Sequence, residues 1–209
     1  DWLARHGVVL GDDEIAPWHS DEGAVRAAHA TTPTSADADG RGTDATWHEW
    51  HDWDAAALVP QVALPHSPAL ARPVTEVPDT RVDIAYIGAC TGAKIDDLRA
   101  AARVLAGHRV AAGVQLMVAP ASLRDRAEAE REGVLRTLQD AGAVLLPSSC
   151  GACAGYGSRI PEGATVISST ARNFKGRMGA ATAQVYLGSP YTVAASALRG
   201  RIADVRDVL

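Results

Sequence analysis

The sequence predicts an α/β fold in which a parallel sheet is built from βαβ crossover units with helices on both faces. An irregular N-terminal segment precedes this fold. Two observations carry the prediction. From about residue 80 onwards, short apolar runs alternate with longer amphipathic runs. Apolar residues also make up 47% of the 209 residues, which is enough to build a sizeable core.

The composition divides the chain into two parts. Residues 1–78 are predicted to form a partial N-terminal α/β segment, and residues 79–209 a second α/β domain. Within the first part, residues 31–46 (TTPTSADADGRGTDAT) are small, polar and rich in Gly, Pro and Asp. Such a stretch cannot bury apolar surface, so it is predicted to be a loose insertion or linker.

The elements of the second part follow in chain order. RVDIAYIGAC (81–90) is predicted to be a strand, and residues 95–107 a helix with Asp96 and Asp97 in its first turn. The remaining predicted elements are a strand at 113–122, a helix at 122–142 ended by glycine, strands at 143–149 and 164–170, and a helix at 189–202.

Charge and cysteine content exclude several classes of protein. The formal net charge is −5 without any basic run, which disfavours binding to nucleic acid or to an anionic membrane surface. We find neither an apolar stretch long enough to span a membrane nor a signal peptide. Three cysteines cannot all pair within the chain, so we expect reduced thiols and a cytoplasmic location.

The predicted topology brings the three cysteines to one edge of the sheet. Cys90 ends the first strand of the second part, and Cys150 and Cys153 follow the third. All strands of a parallel sheet end at the same edge, where open α/β sheets bind their ligands. The thiols are therefore expected to converge on one site.

The Cys-x-x-Cys spacing of Cys150 and Cys153 leaves three chemistries open, namely zinc, an iron–sulfur cluster or a redox dithiol. A redox dithiol is disfavoured because it normally opens a helix early in a βαβ unit. Structural zinc normally takes four protein ligands, and the histidine nearest to Cys150 is the distant His108. A cluster held by three cysteines leaves one iron open, as a Lewis acid requires. A non-catalytic zinc, redox-sensing or acid-binding domain stays as the alternative.

Two arginines follow the predicted fourth strand, in ARNFKGRMG (171–179). Arg172 and Arg177 lie five residues apart around Gly176, a spacing that would put them on different faces of a helix. A turned loop that presents both guanidinium groups is therefore predicted. Two such groups suit a dicarboxylate or a tricarboxylate.

Several ordered motifs closely resemble the aconitase superfamily. They are IGACTGAKIDDLR (87–99), CGACAG (150–155), SSTARNFKGRMG (168–179) and YLGSPYTVAASALRGRI (186–202), with PQVALPHSPALARPVTEV (60–77) similar to the segment that precedes the first cysteine. The likeness is greatest to the C-terminal half of the large subunit in its 3-isopropylmalate dehydratase and homoaconitase branch.

This resemblance implies a [4Fe-4S] cluster held by Cys90, Cys150 and Cys153, whose open iron binds a substrate hydroxyl and carboxylate. It also implies that Arg172 and Arg177 bind substrate carboxylates. The implied activity is that of a hydro-lyase, which removes and re-adds water stereospecifically on a small hydroxy acid. 3-Isopropylmalate, homocitrate, citrate and citramalate are all open as substrates.

The chain departs from the family pattern at two positions and lacks part of it. Gly92 and Ala171 stand where the family usually has asparagine. The family's G-x-D-S-H-T-like motif and its acid–base residues do not occur in these 209 residues. The catalytic acid–base residues are therefore expected on a partner chain that carries the N-terminal catalytic half, with a small swivelling subunit as a further partner.

Two other groups of polar residues are given a structural interpretation. WHEWHDW (47–53) contains potential metal ligands, but its tryptophan spacing equally suits a short aromatic face with solvated polar groups. His66 lies in a Pro-bounded loop and is predicted to be structural.

Overall fold

A computed structural model describes residues 58–77, 79–157 and 159–209. These residues all belong to the second of the two units into which the chain divides, residues 55–209. The predictions for the polar insertion at 31–46 and for WHEWHDW concern residues outside the described part.

The described residues form one sheet of seven strands. In chain order the strands are β1 (Gln61–Ala63), β2 (Ala71–Pro73), β3 (Ile84–Ile87), β4 (Gln115–Val118), β5 (Val144–Leu145), β6 (Thr165–Ser168) and β7 (Gln184–Gly188). Their spatial order is β2-β1-β7-β6-β3-β4-β5. The five strands from β7 to β5 are parallel, whereas β1 pairs antiparallel with β7 and with β2.

In the described residues, four α-helices accompany the sheet, namely α1 (Ile95–Leu105), α2 (Leu123–Arg131), α3 (Val134–Asp140) and α4 (Pro190–Arg199). Ser122 and Ser189 cap α2 and α4, because each side-chain oxygen accepts a hydrogen bond from a backbone N–H in the first turn. The single helix predicted at 122–142 is instead two helices. Gly133 between them has φ of 77°, a left-handed conformation that interrupts a right-handed helix.

Alternate strand residues face two separate apolar clusters, because successive side chains of a strand point to opposite faces. On β3, Ala85 and Ile87 belong to the first cluster, and Ile84 and Tyr86 to the second. Buried residues of all four α-helices join the first cluster. The second cluster is completed by loop residues that include Cys153, Ile160 and Met178.

The predicted α/β fold is confirmed, although its sheet is mostly rather than wholly parallel because β1 pairs antiparallel with both neighbours. The layers also differ from the prediction in one respect. In the part of the chain that the structure describes, the α-helices gather on one face of the sheet instead of both. Loops and the short 3₁₀ turn Gly151–Ala154 cover the opposite face. Amphipathic periodicity shows which side of a helix is buried, but it does not show which face of the sheet the helix covers.

Three strands, β1, β2 and β7, were missed by the sequence analysis. β1 and β2 have only three residues each, too few for an alternating pattern, yet they extend the sheet beside β7. Residues 61–73 thus share a sheet with the second part of the chain. None of the helices in the described residues has the length and apolarity needed to span a bilayer.

Candidate functional site

The carboxyl ends of the parallel strands form the edge at which the predicted site residues lie. Cys90 follows β3, Cys150 and Cys153 follow β5, and the arginine-bearing loop follows β6. From β3 the chain first builds the sheet in one direction through β4 and β5, and later in the other direction through β6 and β7. The order therefore reverses between β3 and β6. A crevice outside such a reversal is where open α/β sheets bind ligands.

The Ser169 side chain connects the loops that follow β3 and β6 through hydrogen bonds to Gly88 and Gly92, a contact that we call the Ser169 clasp. The Ser169 hydroxyl accepts a hydrogen bond from the Gly88 N–H at 3.1 Å and lies 2.6 Å from the Gly92 carbonyl oxygen, to which it donates. A Cβ atom on Gly92 would lie 2.0 Å from the Ser169 carbonyl oxygen. Glycine at this position, where the family resemblance leads one to expect asparagine, is therefore required by the close approach of the two backbones.

The second cysteine segment is a tight 3₁₀ turn, Gly151–Ala154. The Ala154 N–H donates to the Cys150 carbonyl oxygen, and Gly155 ends the turn in the left-handed conformation, with φ of 74°. Cys153, within this turn, is buried, whereas Cys150 and Cys90 are exposed. All three cysteines are free thiols.

The arginine-bearing loop forms a turn rather than a helix, as its spacing predicts. A terminal nitrogen of the Arg177 guanidinium, Nη2, donates to the Cys153 sulfur at 3.7 Å. The Nε atom of the same side chain is buried and has no hydrogen-bond partner among the described residues. Arg172 is exposed, and its Nη1 donates to the carbonyl oxygen of Ala171.

Tyr86 on β3 is a site residue that the sequence analysis missed. Its side chain is fully buried, and its hydroxyl has no hydrogen-bond partner in the described part of the chain. Burial raises the pKa of this phenol to about 12; negative charge on Cys153 and Cys150 acts in the same direction, and the nearby Cys153 backbone N–H acts against it. The available signal was a lone tyrosine in the apolar strand IAYI, facing away from the helices.

A cavity of about 470 Å³ opens beside the cysteine turn. Tyr86 and Cys150 line it, together with Leu146, Pro147 and Tyr156. Its lining is mostly apolar and includes the exposed Cys150 and the fully buried Tyr86.

The side chains at this edge are of the chemical types that can hold an iron–sulfur cluster. Three free thiols lie at one edge of the sheet, and the Arg177 guanidinium donates to the Cys153 sulfur. Two buried polar atoms, the Tyr86 hydroxyl oxygen and Arg177 Nε, have no hydrogen-bond partner within the described ranges. In this structure the three cysteines do not lie together as a set of metal ligands. No three His, Cys, Asp or Glu side chains in the described part form a group that could hold a metal ion.

Comparison with known proteins gives a consistent set of matches. The model of the Aconitase family (aconitate hydratase) matches residues 72–200. The chain is 41% identical over 211 aligned residues to the 3-isopropylmalate dehydratase large subunit of Mycolicibacterium smegmatis. This alignment covers 100% of this chain and 45% of that protein.

Two further relatives are also 3-isopropylmalate dehydratase large subunits. The large subunit from Oleidesulfovibrio alaskensis is 43% identical over 164 residues, covering 78% of this chain and 39% of the relative. That from Picrophilus torridus is 46% identical over 158 residues, covering 75% and 38%. The chain thus spans less than half the length of the curated relatives it matches.

Proposed function

This chain belongs to the aconitase family, and from that premise we propose that it is the cluster-bearing part of a hydro-lyase. The substrate we propose is a small hydroxy-di- or tricarboxylic acid resembling 3-isopropylmalate, because the relatives are named 3-isopropylmalate dehydratase large subunit. The observation that carries the proposal is the position of three free thiols at the edge where the strand order reverses.

We assign Cys90, Cys150 and Cys153 as the ligands of a [4Fe-4S] cluster. Cys153 is buried within its turn, whereas the other two thiols are exposed. Glycines on both sides of these cysteines leave the backbone free to approach a bound cluster. We infer that the two loops adjust around Cys153 when the cluster is assembled. The Ser169 clasp limits that adjustment on the Cys90 side.

When bound, a cluster with an open iron supplies Lewis-acid chemistry towards a leaving hydroxyl group. The remaining tasks are carried out by side chains. In our proposal Arg172 and Arg177 bind and orient the substrate carboxylates, because a guanidinium forms paired hydrogen bonds with a carboxylate. Arg172 is exposed at this edge, and Arg177 reaches the cysteine turn, so a carboxylate held between them would lie beside the thiols.

Proton transfer requires a positioned acid–base group, and we assign none in the described residues. We propose that these groups lie in the remaining part of the enzyme, a partner that carries the N-terminal catalytic half, and that a small swivelling subunit completes the assembly. The term large subunit in the relatives' names supports such a companion. Reduced free thiols favour the cytoplasm as the location.

A second candidate function is a non-catalytic domain that uses the thiols to bind zinc or to sense oxidants. The exposed Cys150 in a Cys-x-x-Cys turn favours it, because accessible thiols with this spacing are typical of both uses. The two functions differ in the metal they bind and in the effect of adding partner proteins.

Anaerobic reconstitution with ferrous iron and sulfide tests the assignment. The protein should turn brown and bind a full [4Fe-4S] complement, and Cys90→Ala, Cys150→Ala and Cys153→Ala should each lose it. Ser149→Ala, which alters the same cavity wall, should keep it. A colourless protein with one zinc per chain would establish the second function instead.

Activity is then assayed with a panel of 2- and 3-hydroxy acids. We expect no unsaturated product from the reconstituted chain alone and turnover once the proteins that co-purify with it in the native host are added. Turnover of a hydroxy acid by the chain alone would contradict the assignment of the acid–base residues to a partner.

A further inference from the structure

We propose that Tyr86 is a positioning residue for the cluster, because its buried hydroxyl lies beside both cysteine segments and has no acceptor for its proton among the described residues. In this proposal the hydroxyl donates a hydrogen bond to a sulfur atom of the group held by Cys150 and Cys153. The inference rests on the proposed function and deepens it, since it assigns a role to a residue outside the thiol ligands and the two arginines.

The hydroxyl of Tyr86 requires an explanation because buried polar atoms in proteins nearly always have a hydrogen-bond partner. The residue is 0% exposed. The Cys153 backbone N–H lies near its oxygen but can only donate, so the hydroxyl proton has no acceptor among the described residues. β3 fixes the side chain, since all four of its residues are buried and it is paired on both sides. The side chain therefore cannot turn outwards to reach water without disturbing the sheet.

The position of the ring depends on Gly88. A Cβ atom at Gly88 would lie 2.6 Å from both the Tyr86 hydroxyl oxygen and the ring carbon that carries it. The phenol thus lies directly across the backbone that leads into Cys90. Any side chain at Gly88 would displace it.

The other neighbours of the phenol belong to the second cysteine segment. Tyr86 and Cys150 line the same cavity, and Tyr86 and Cys153 belong to the same buried cluster. The hydroxyl is therefore close to both segments that supply thiols. A sulfur atom bound between those segments would be the acceptor that the hydroxyl lacks.

A hydrogen bond of this kind has a defined physical effect. Hydrogen bonds to cluster sulfur atoms stabilise the more negative, reduced state and thus raise the reduction potential. Groups that hydrogen-bond to metal ligands also increase retention of the metal, and their loss typically weakens metal binding by about 10- to 100-fold. These two quantities are measurable without substrate or partner proteins.

The test compares Tyr86→Phe with Tyr191→Phe in the reconstituted chain. Phenylalanine removes only the hydroxyl in both variants. Tyr191 is on α4, on the helix-covered side of the sheet, where its hydroxyl accepts a 3.4 Å hydrogen bond from Arg103. For Tyr86→Phe we expect iron retention against a chelator to fall about tenfold and the cluster potential to become more negative. Tyr191→Phe should match the wild type in both.

The unfolding midpoint of the cluster-free chain distinguishes a purely structural role of Tyr86 from a role in cluster binding. Removing a buried hydroxyl that has no partner should leave this midpoint unchanged or raise it. A lower midpoint in Tyr86→Phe, with iron retention and potential like the wild type, would show a structural hydrogen bond and overturn the proposal.

Failure of this proposal can be distinguished from failure of the proposed function. If wild type and Tyr86→Phe bind the cluster with equal retention and equal potential, the role of Tyr86 is refuted and the cluster assignment stands. If the wild type binds no iron and sulfide at all, both are refuted.

Discussion

At Gly92 the loop after β3 passes so close to Ser169 that no side chain fits. Gly92→Ala would place Cβ 2.0 Å from a carbonyl oxygen, so backbone atoms must move. We expect the free energy of unfolding to fall by about 3 kcal/mol, the upper end of the usual cost of overpacking. Urea unfolding of the cluster-free chain measures this cost.

Gly133→Ala is the matched control for that substitution. A Cβ atom there meets nothing within 4 Å, but φ is 77°. The expected cost is about 1 kcal/mol, from the left-handed conformation alone. Equal costs for the two substitutions would show that the clasp between Ser169 and Gly92 tolerates a side chain.

Arg177→Lys is predicted to weaken substrate binding in the assembled enzyme while the iron content stays unchanged, because a lysine ammonium can replace Arg177 Nη2 as the donor to the Cys153 sulfur. Lysine keeps the positive charge but cannot form the paired hydrogen bonds of a guanidinium. Losing one charge-assisted hydrogen bond costs about 1.5–3 kcal/mol, so KM should rise at least about tenfold. Arg136→Lys, on an exposed face of α3, should leave KM unchanged. Iron loss in Arg177→Lys would instead assign Arg177 to cluster binding.

The sequence could predict the thiols and arginines of the candidate site because their residue types carry the chemistry directly. The Cys-x-x-Cys spacing and the motif around Arg172 and Arg177 can be read directly from the sequence. Tyr86 and Ser169 could not be predicted in the same way. Their importance depends on distances to Gly88, Gly92 and the cysteine turn, and those distances exist only after the strands pair.

Among the elements, the last turn of the chain gives a prediction about pH. Asp204 has a side chain that is only 7% exposed; it caps the 3₁₀ turn Val205–Asp207 by accepting from the Arg206 N–H at 2.9 Å. Hydrogen bonds from Arg206 lower the pKa of this carboxyl below its ordinary value of 3.8. A lowered pKa stabilises the folded state above 3.8, and this contribution is lost as the pH falls through the folded-state pKa.

Asp204→Asn is therefore expected to cost about 1 kcal/mol at pH 7, the usual net value of a lost hydrogen bond. The difference from the wild type should shrink as the pH falls below 3.8. Thermal unfolding across this pH range measures the effect. Asp140→Asn is the control, because that carboxylate is exposed and lies 3.9 Å from its nearest arginine nitrogen. A difference independent of pH would show that the carboxylate charge is not responsible.

Strands β3 to β6 of the parallel core were predicted because each lies in its own apolar run, whereas β7 was missed. Gly133, which separates α2 from α3, can be seen in the sequence. One glycine within a helical pattern is often tolerated, however, so the pattern favoured a single helix. β1 and β2 illustrate the opposite problem. Three residues carry too little pattern, and their pairing with β7 joins positions more than a hundred residues apart in sequence.

For the whole molecule, the prediction that the cysteines share one sheet edge followed from a general rule about parallel strands. The direction in which each crossover packs is not encoded in that rule. It depends on which apolar stripes complement each other, and in the described residues this complementarity places the α-helices together on the face away from Tyr86. The other face is left to loops. Those loops are the ones that carry the candidate site.

The central place of β3 has a consequence for the rates at which backbone amides exchange with deuterium. β3 is paired with β4 and β6, so its amides exchange only when the sheet opens. The loop at Cys90 and the turn Gly151–Ala154 lie beyond the strand ends and should exchange by local opening. The boundary between slow and fast exchange should then fall within the few residues that separate Tyr86 from Cys90. Cluster binding should slow exchange in the two cysteine segments and leave β3 as it was.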